Sequence, residues 1–584
     1  MNVLGLSGLM IDGAACLLQD GRVVSAVEEE RPVRFKQASM KLSGGLPSQA
    51  IELCFRQAGV GWKDIDHVAY FFRPWLEFTR MTAFRWSKAF WAPQVAGYYT
   101  IYQLEMLKGH LAVPRMVLAR CNGHMPRVQF WGHHLTHAAS SYYVSPFDEA
   151  AILVMDAVGE RDCTSWFLGR GGRITPIRSW GFPHSWGFLY ASMTHYLGFR
   201  HNRDEYKVMG LAAFGRPLYA DQLERVIRLQ PDGSLKLDWS YFDPAFKGPN
   251  YFSKKFYKML GPARQQDEPI TERHQHLAAS LQELLERSAL RLVRELHRVT
   301  GVDALCIAGG VGLNSTMNGR LLGEGPFRRI FVPPGPHDGG AAMGAALLSY
   351  HASTKQGRRE PLTTASLGPA FSDEEIAAAL EASKVCYEKR PNIAADVADL
   401  LARGQVVGWF QGRMEWGPRA LGSRSILADP TRVEMRDIVN RMIKHREPFR
   451  PFAPSVLAER ASEYFEISQP SPFMQFVVPV RRERRHEIPA VVHIDGTARV
   501  QTVTEQANPL FWRLITLFGE RTGVPMVLNT SFNVDGEPIV CTPQDALRSF
   551  FASGLDALAI GNYLVCKEWF HLNFAQRNLS ICAV

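Results

Sequence analysis

Short apolar runs broken by acidic or glycine-bearing turns open the chain. Val3–Ser7, Ala14–Leu18 and Val23–Val27 read as strands, parted by turns at Asp12-Gly13 and at QDGR. The pattern returns at Ala151–Met155, Thr164–Leu168 and Ile174–Trp180, parted by the turn 156–162 and by RGGR. Two strand–turn–strand–turn–strand units, each with an aspartate in its first turn, predict a duplicated fold. An aspartate in such a loop can face a phosphate-bound metal or an attacking hydroxyl.

Further along the period changes. Residues 272–300 carry the spacing of a long amphipathic helix, with Gly301 to stop it. DALCIAGGVGLNSTMNGRLL then gives a strand, a glycine turn and a helix. IFVPPGPHDGGAAMGAALLSY gives a strand, a Pro/Gly loop and a helix of small residues. The polar stretch 353–372 reads as a linker. Beyond it, strand signals at VVGWF (406–410) and VPMVLN (524–529), with helices between, predict a second α/β domain. The expected division is residues 1–360 and 373–584. Residues 70–102 hold a dozen aromatics, among them Trp75, Trp86 and Trp91. They read as a helical insertion with its own small core, or as an apolar wall beside a bulky acceptor or a protein partner.

Composition narrows the class. A chain of 584 residues is too long for one core, and 46% hydrophobic with 21% charged residues is ordinary for a globular protein. The first residues lack a basic leader, and no run approaches the roughly 20 apolar residues of a membrane span. The expected place is the cytoplasm. Nine cysteines without a CxxC pair argue for buried thiols, not a disulfide frame or a zinc ribbon. The net charge of +9 is spread out and clusters only where small anions would also bind, which disfavours nucleic acid.

Two stretches carry the candidate chemistry. In HHLTH, His133 and His137 stand four apart, so a helix presents both imidazoles on one face, about 5–6 Å apart at Cβ. Asp156 ends a strand soon after, and Asp338 lies in a glycine-rich loop. Two histidines and two aspartates make a plausible set for a borderline or hard divalent ion; His134 points elsewhere and reads as structural. AGGVGLN (308–314) has glycines that let backbone N–H groups approach a phosphate, and EYKVMGLAAFG adds Lys207 and Gly210. The second stretch is basic. Arg413, Arg419, Arg424, Lys444, Arg446 and Arg450 lie among Trp416, Pro418, Leu421 and Phe449, not on one solvated face. Planar guanidiniums hold phosphate bidentately, each charge-assisted bond being worth about 1.5–3 kcal/mol. Arg499, Asn529, Ser531 and Asn533 follow two strands and offer further anion and amide contacts.

AVEEER, HHLTHAAS, VMDAVGE, KVMGLAAFG, AGGVGLN, GPRALGSRSILADP, REPFRPFAPS, DGTARVQ and LNTSFN occur in this order. With them the chain resembles the NodU/CmcH-type O-carbamoyltransferases over nearly its whole length. The resemblance implies an α/β protein: a duplicated ASKHA-type (actin/Hsp70/sugar-kinase-like) N-terminal domain, then a YrdC-like domain. It implies that carbamoyl phosphate and ATP, with Mg2+, give carbamoyl-adenylate in the C-terminal domain. The N-terminal domain then carbamoylates a hydroxyl of a small-molecule natural product, as in antibiotic biosynthesis, and AMP leaves. It implies His133, His137, Asp156 and Asp338 as ligands of a metal, iron(II) by family habit. Gly159, Glu160, Lys207, Gly210, Gly309, Gly310 and Asn314 would hold the nucleotide intermediate. Arg419, Arg424, Lys444, Arg446, Arg450, Ser455, Arg499, Asn529 and Ser531 would bind carbamoyl phosphate and ATP.

Asp12 and Lys36 are the candidate catalytic groups. Where many relatives carry His-Asp in the first acidic turn, this chain has Ile11-Asp12, which leaves Asp12 as base or acceptor orienter. Lys36 follows the EER motif within EERPVRFKQ, in which Pro32 stiffens the loop and Gln37 cannot titrate. The mechanism needs a dry path for a labile mixed anhydride and a base near the alcohol. Rival readings are a tRNA threonylcarbamoyl-type transferase, which lacks its basic stripe here, and a non-enzymatic ASKHA nucleotide switch, which leaves the arginines unexplained. The hydrogenase-maturation relatives carry zinc-ribbon cysteines that are missing. A homodimer is left open.

Overall fold

A computed structural model describes residues 1–86, 93–121, 123–243, 251–354, 360–444, 446–447 and 449–567. The chain divides into two compact units, Met1–Glu30 with Gln37–Leu362, and Arg31–Lys36 with Thr363–Val584. A division at a single linker does not anticipate the six residues that group with the second unit. Their side chains explain it. Arg31 Nη2 donates to the Gly417 carbonyl at 2.7 Å, and Arg34 donates to the carbonyls of Ile539 (2.5 Å) and Pro538 (2.8 Å) and pairs with Asp545 at 3.3 Å.

The first unit contains the same sheet twice. Strands β1 (Asn2–Ser7), β2 (Ala14–Gln19), β3 (Arg22–Glu28), β4 (His67–Tyr70) and β5 (Arg127–Phe130) lie in the order β3-β2-β1-β4-β5. The first three are antiparallel neighbours, and β4 and β5 run parallel to β1. Strands β6 (Glu149–Met155), β7 (Asp162–Arg170) and β8 (Arg173–Gly181) repeat the antiparallel trio. After a small hairpin of β9 (Ile227–Leu229) and β10 (Leu235–Leu237), β11 (Ala304–Ala308) and β12 (Arg329–Phe331) add the parallel pair, giving β12-β11-β6-β7-β8. Parallel neighbours need crossovers, and helices supply them. The longest, Glu272–Thr300, starts at a Thr271/His274 capping box and stops at left-handed Gly301, as its periodicity predicts.

Two further helices of the first unit meet closely. His133–Tyr142 packs on Asp338–Thr354, whose run of Gly and Ala leaves room. A Cβ on Gly344 would sit 1.8 Å from the Thr136 carbonyl oxygen, so only glycine permits this approach. In the aromatic region, helices Pro74–Trp86 and Pro93–Arg120 form as an insertion after β4. Trp91 lies outside the described residues.

The second unit is built on a mixed eight-stranded sheet. Its order is β13-β22-β21-β14-β15-β20-β16-β19. The strands are β13 (Glu388–Lys389), β14 (Val407–Phe410), β15 (Arg424–Ala428), β16 (Ala453–Leu457), β19 (Gln501–Val503), β20 (Met526–Ser531), β21 (Ala557–Ile560) and β22 (Tyr563–Cys566). Beside it, β17 (Val477–Pro479) pairs with β18 (Thr497–Arg499). Helices Ile393–Ala402 and Pro509–Thr522 close the core over Trp409, Leu427 and Val527. Among the described residues, no helix is long and apolar enough to cross a membrane.

Candidate active site

The helix that starts at His133 carries both imidazoles inward, and each is buried. His133 Nε2 lies 2.9 Å from Asp156 Oδ2, 3.1 Å from His137 Nε2 and 3.5 Å from Asp338 Oδ1. His137 Nε2 lies 3.4 Å from Asp338 Oδ1 and 3.6 Å from Asp156 Oδ2. A tetrahedron of ligand atoms around an ion with bonds of about 2.1 Å has edges of roughly 3.4 Å, so the four residues fit a divalent metal. Two imidazole nitrogens at 3.1 Å cannot aim protons at one another, which also favours a shared cation. Burial pushes His137 down, but Asp156 and Asp338 outweigh it and raise its pKa to about 9. Burial pushes the Asp156 carboxyl up, yet the bonds from His133 and His137 hold it well below the usual carboxylate range.

The surrounding residues aim these ligands. At the end of β6, Asp156 turns Oδ1 to the Gly310 N–H at 3.1 Å, which leaves Oδ2 for the histidines. Gly309 takes φ +89°, and a Cβ there would meet the Met155 carbonyl oxygen at 2.2 Å. Gly159 lies against the His133 and His134 rings. Glu160 Oε1 accepts from the N–H groups of His133 and Arg73, both at 3.0 Å, and so caps the histidine helix. His134 binds Ser165 Oγ at 2.7 Å, and burial pushes it down to about 3. Phe71 and Phe72 set their rings edge-on to His133. Trp75 is 46% exposed.

Asp12 stands in the first acidic turn at φ 53°, a left-handed conformation that aspartate tolerates. Burial raises its carboxyl to about 7, against the opposing charge of His337. His337 Nε2 is 3.0 Å from Glu28 Oε1. Sequence reasoning missed His337 and Glu28; a titratable residue beside Asp338 in a Pro/Gly loop was the available signal. Lys207 and Gly210 sit on helix Glu205–Ala212, with Lys207 Nζ 3.6 Å from Asp204. Asn314 caps helix Ser315–Glu324 through Met317 N–H and exchanges hydrogen bonds with Gln282, both at 2.9 Å. Its amide therefore works inside the fold.

In the second unit, a π-helical turn, Val439–Lys444, delivers the first basic residues. Arg499 lies on β18 with its Nε buried and without a hydrogen-bond partner among the described residues. Burial, then the charges of Arg419, Arg446 and Arg450, drive its pKa well below the usual arginine value. Arg446 Nε donates to Asn440 at 2.7 Å, and its guanidinium lies 4.6 Å over the Phe452 ring. Arg450 has Glu447 at 3.7 Å. Lys36 falls in this unit, where its charge joins burial, Arg446 and Arg450 in depressing Lys444.

Four residues expected at the phosphate site also make bonds within the fold. Arg424 is fully buried, stacked 3.6 Å over Phe410, with Nη1 and Nη2 on the carbonyls of Pro369, Gln411, Gly412 and Ser423. Lys444 Nζ donates to Ser531 O, Asn533 O (2.9 Å) and Asn533 Oδ1 (2.7 Å), so it braces the NTSFN loop. Ser455 Oγ donates to Gln501 Oε1 at 2.6 Å. Ser531 Oγ donates to Asn533 Oδ1 at 2.7 Å. Glu415, which sequence reasoning passed over, accepts from the N–H groups of Leu421 (2.8 Å), Ser423 (2.6 Å) and Arg424 (3.0 Å). It fixes the loop that carries Arg419, and a lone acid inside a glycine-rich basic run was the signal for it.

A buried divalent-ion set in one unit and a guanidinium cluster in the other suit an enzyme of group transfer, and comparison with known proteins supplies the class. The family model Carbamoyltransferase N-terminus matches residues 2–347, and Carbamoyltransferase C-terminus matches residues 398–567. The chain belongs to the carbamoyltransferase family, and it is an enzyme of that class. An uncharacterized protein of Synechocystis is 41% identical over 97% of each chain. Nodulation protein NolNO of Sinorhizobium fredii is 39% identical over 96% of this chain and 79% of its own. Nodulation protein NolO of Bradyrhizobium diazoefficiens is 40% identical over 75% of this chain and 79% of its own.

Proposed function

We propose that the protein is an ATP-dependent O-carbamoyltransferase with two active centres. In the second unit, carbamoyl phosphate, ATP and water give carbamoyl-adenylate, pyrophosphate and phosphate. In the first unit the carbamoyl group passes to a hydroxyl of a small-molecule natural product and AMP leaves. The duplicated sheet favours an ASKHA-type first unit; a YrdC-like second unit follows from the motif resemblance. The reaction belongs in the cytoplasm, where both phosphates are made.

The observation that carries this reading is Arg499, buried among Arg419, Arg446 and Arg450. Like charges in a partly dry site demand an anion, and polyanionic substrates meet that demand. In the first unit, His133, His137, Asp156 and Asp338 would hold the metal, with iron(II) the candidate from the resemblance. A bound ion supplies charge to polarise a carbonyl or to grip the adenylate phosphate. The Gly309-Gly310 turn spends its N–H groups on the Pro336 carbonyl and on Asp156, so it orients that carboxylate toward the ion. Asp12 takes the hydroxyl proton, since a carboxyl titrating near 7 is matched to that task.

The test is to incubate the protein with ATP and carbamoyl phosphate and assay pyrophosphate, then AMP with an added acceptor. Formation of ADP, or no nucleotide product, would favour a nucleotide switch. A requirement for threonine and bicarbonate would favour threonylcarbamoyl chemistry. Mass spectrometry of metabolites from the producing cell identifies the acceptor.

A further inference from the structure

Helix Pro93–Arg120 of the insertion has two faces with different surroundings. One turns into its own unit. Gln103, His110, Val113 and Val117 are buried there, and the Tyr70 hydroxyl lies 2.7 Å from His110 Nδ1. A Cβ on Gly109 would meet the Leu9 side chain at 3.3 Å. The other face is turned to solvent, yet it is not polar. Ile101 is 64% exposed, Leu104 40%, Leu111 48% and Leu118 36%.

These residues are spaced so that they fall on one line of an α-helix. Exposed Lys108 and Arg115 fill the remaining places on that line. The stripe therefore reads Ile, Leu, Lys, Leu, Arg, Leu, and it runs about 25 Å at roughly 1.5 Å per residue. The charge on this helix is lopsided. Glu105 is its one acid, against Lys108, Arg115 and Arg120. Lys108 donates to Glu105 at 2.7 Å, and Lys41 adds its charge in lowering the same carboxyl. The loop of Lys41 also brings Leu42, 59% exposed. That loop packs on the helix, since a Cβ on Gly45 would meet the Met116 side chain at 2.5 Å.

Apolar side chains lined up at a water surface call for a partner. A second copy of the chain is a poor one. Two-fold pairing sets the stripe against itself, so Lys108 and Arg115 would confront the same cations, with Glu105 already engaged. An anionic lipid surface answers both demands. Leucine and isoleucine enter the acyl boundary, while the long stems of lysine and arginine lie along it and carry their charges to lipid phosphates.

We propose that the outer face of helix Pro93–Arg120 docks the protein on an anionic membrane surface. This goes beyond the catalytic reading and does not depend on it.

The full-length protein is sedimented with phosphatidylcholine vesicles, with or without about a third phosphatidylglycerol, at low ionic strength. The wild type is expected to bind the anionic vesicles about tenfold or more tighter than the neutral ones, and to leave them as salt rises. Leu104→Glu with Leu111→Glu should weaken binding about tenfold or more, and so should Lys108→Glu with Arg115→Glu, each at the wild-type melting temperature. Arg328→Glu reverses a cation 81% exposed beside β12 and is expected to leave binding unchanged. Equal binding to both kinds of vesicle overturns the proposal. No binding to either also overturns it and leaves the stripe to an acidic protein partner. So does a Leu104→Glu, Leu111→Glu protein that binds as the wild type does. An equal loss with Arg328→Glu overturns it too, because net charge alone would then drive adsorption. Light scattering tests the remaining occupant: a wild-type dimer that Leu111→Glu splits assigns the stripe to a second copy instead. Should the glutamates unfold the chain, Leu104→Ser with Leu111→Ser carries the same test, with the same outcomes.

Discussion

At the candidate metal centre of the first unit, two imidazoles face two carboxylates, and each Nε2 has a carboxylate oxygen within 3.4 Å. In the second unit, Arg499 feels the charges of Arg419, Arg446 and Arg450, and Glu447 lies 3.7 Å from Arg450. The first cluster offsets its own charge, so it persists before any ion arrives. The second gathers like charges, which the proposed phosphate substrates would offset. Both are preorganised, but one is held by its own members and the other by its surroundings: Glu415 under the loop, Arg31 on Gly417 and Lys444 on the NTSFN turn.

The sharpest way to break this comparison is to disable each cluster alone. Arg446→Ala should reduce pyrophosphate formation by a thousandfold or more while metal content stays at the wild-type level. His137→Ala should lose the metal, by elemental analysis, and abolish transfer while sparing pyrophosphate formation. If both variants lose the same half-reaction, the assignment of steps to units is wrong.

Next in size is a substitution that touches neither cluster. Gly344→Ala places a methyl against the Thr136 carbonyl and pushes the two helices apart. It should cost about 2–3 kcal/mol in denaturant melts and weaken metal retention.

A pH titration of metal-stripped protein tests the self-offsetting charge. His137 is raised from 6.5 to about 9 in the fold. A raised histidine stabilises fully below its unfolded pKa, and that contribution is lost as pH rises through the folded value. Thermal stability of the stripped protein should therefore fall between about pH 6.5 and 9. Because metal competes with that proton, metal affinity should rise with pH over the same window. A flat profile would mean the histidines share no proton with the acids.

The smallest effect belongs to the cradle. Inorganic phosphate at saturating concentration should raise the melting temperature by a few degrees, and Arg499→Gln should remove most of that rise. Chelators should leave it unchanged.

Much of the fold was legible because its signals are local. The three-strand units, the helix ended by Gly301 and the strands around 407–410 and 526–531 follow from hydrophobic period and turn residues. HxxxH was equally readable, since a helix alone brings His133 and His137 together. What joins Asp338 to them is not local: it depends on a helix approach that only a glycine allows. Composition also pointed to a basic cluster, but not to which of its arginines bond to backbone carbonyls. Arg424 and Arg419 look alike in GPRALGSR, yet one side chain turns inward onto backbone carbonyls. Only the fold shows which of the two is fastened to the chain around it. His337, Glu28 and Glu415 were missed for the same reason, since each acts through partners distant in sequence.

The excursion of Arg31–Lys36 into the second unit also bears on inheritance. A gene cut after Leu362 would leave the downstream product without the two guanidiniums that clasp Gly417 and the 538–539 backbone. Such a half cannot be shuffled onto another scaffold as an independent cassette. Recombination must carry both stretches or supply a substitute, and this ties the ancestry of the two halves together.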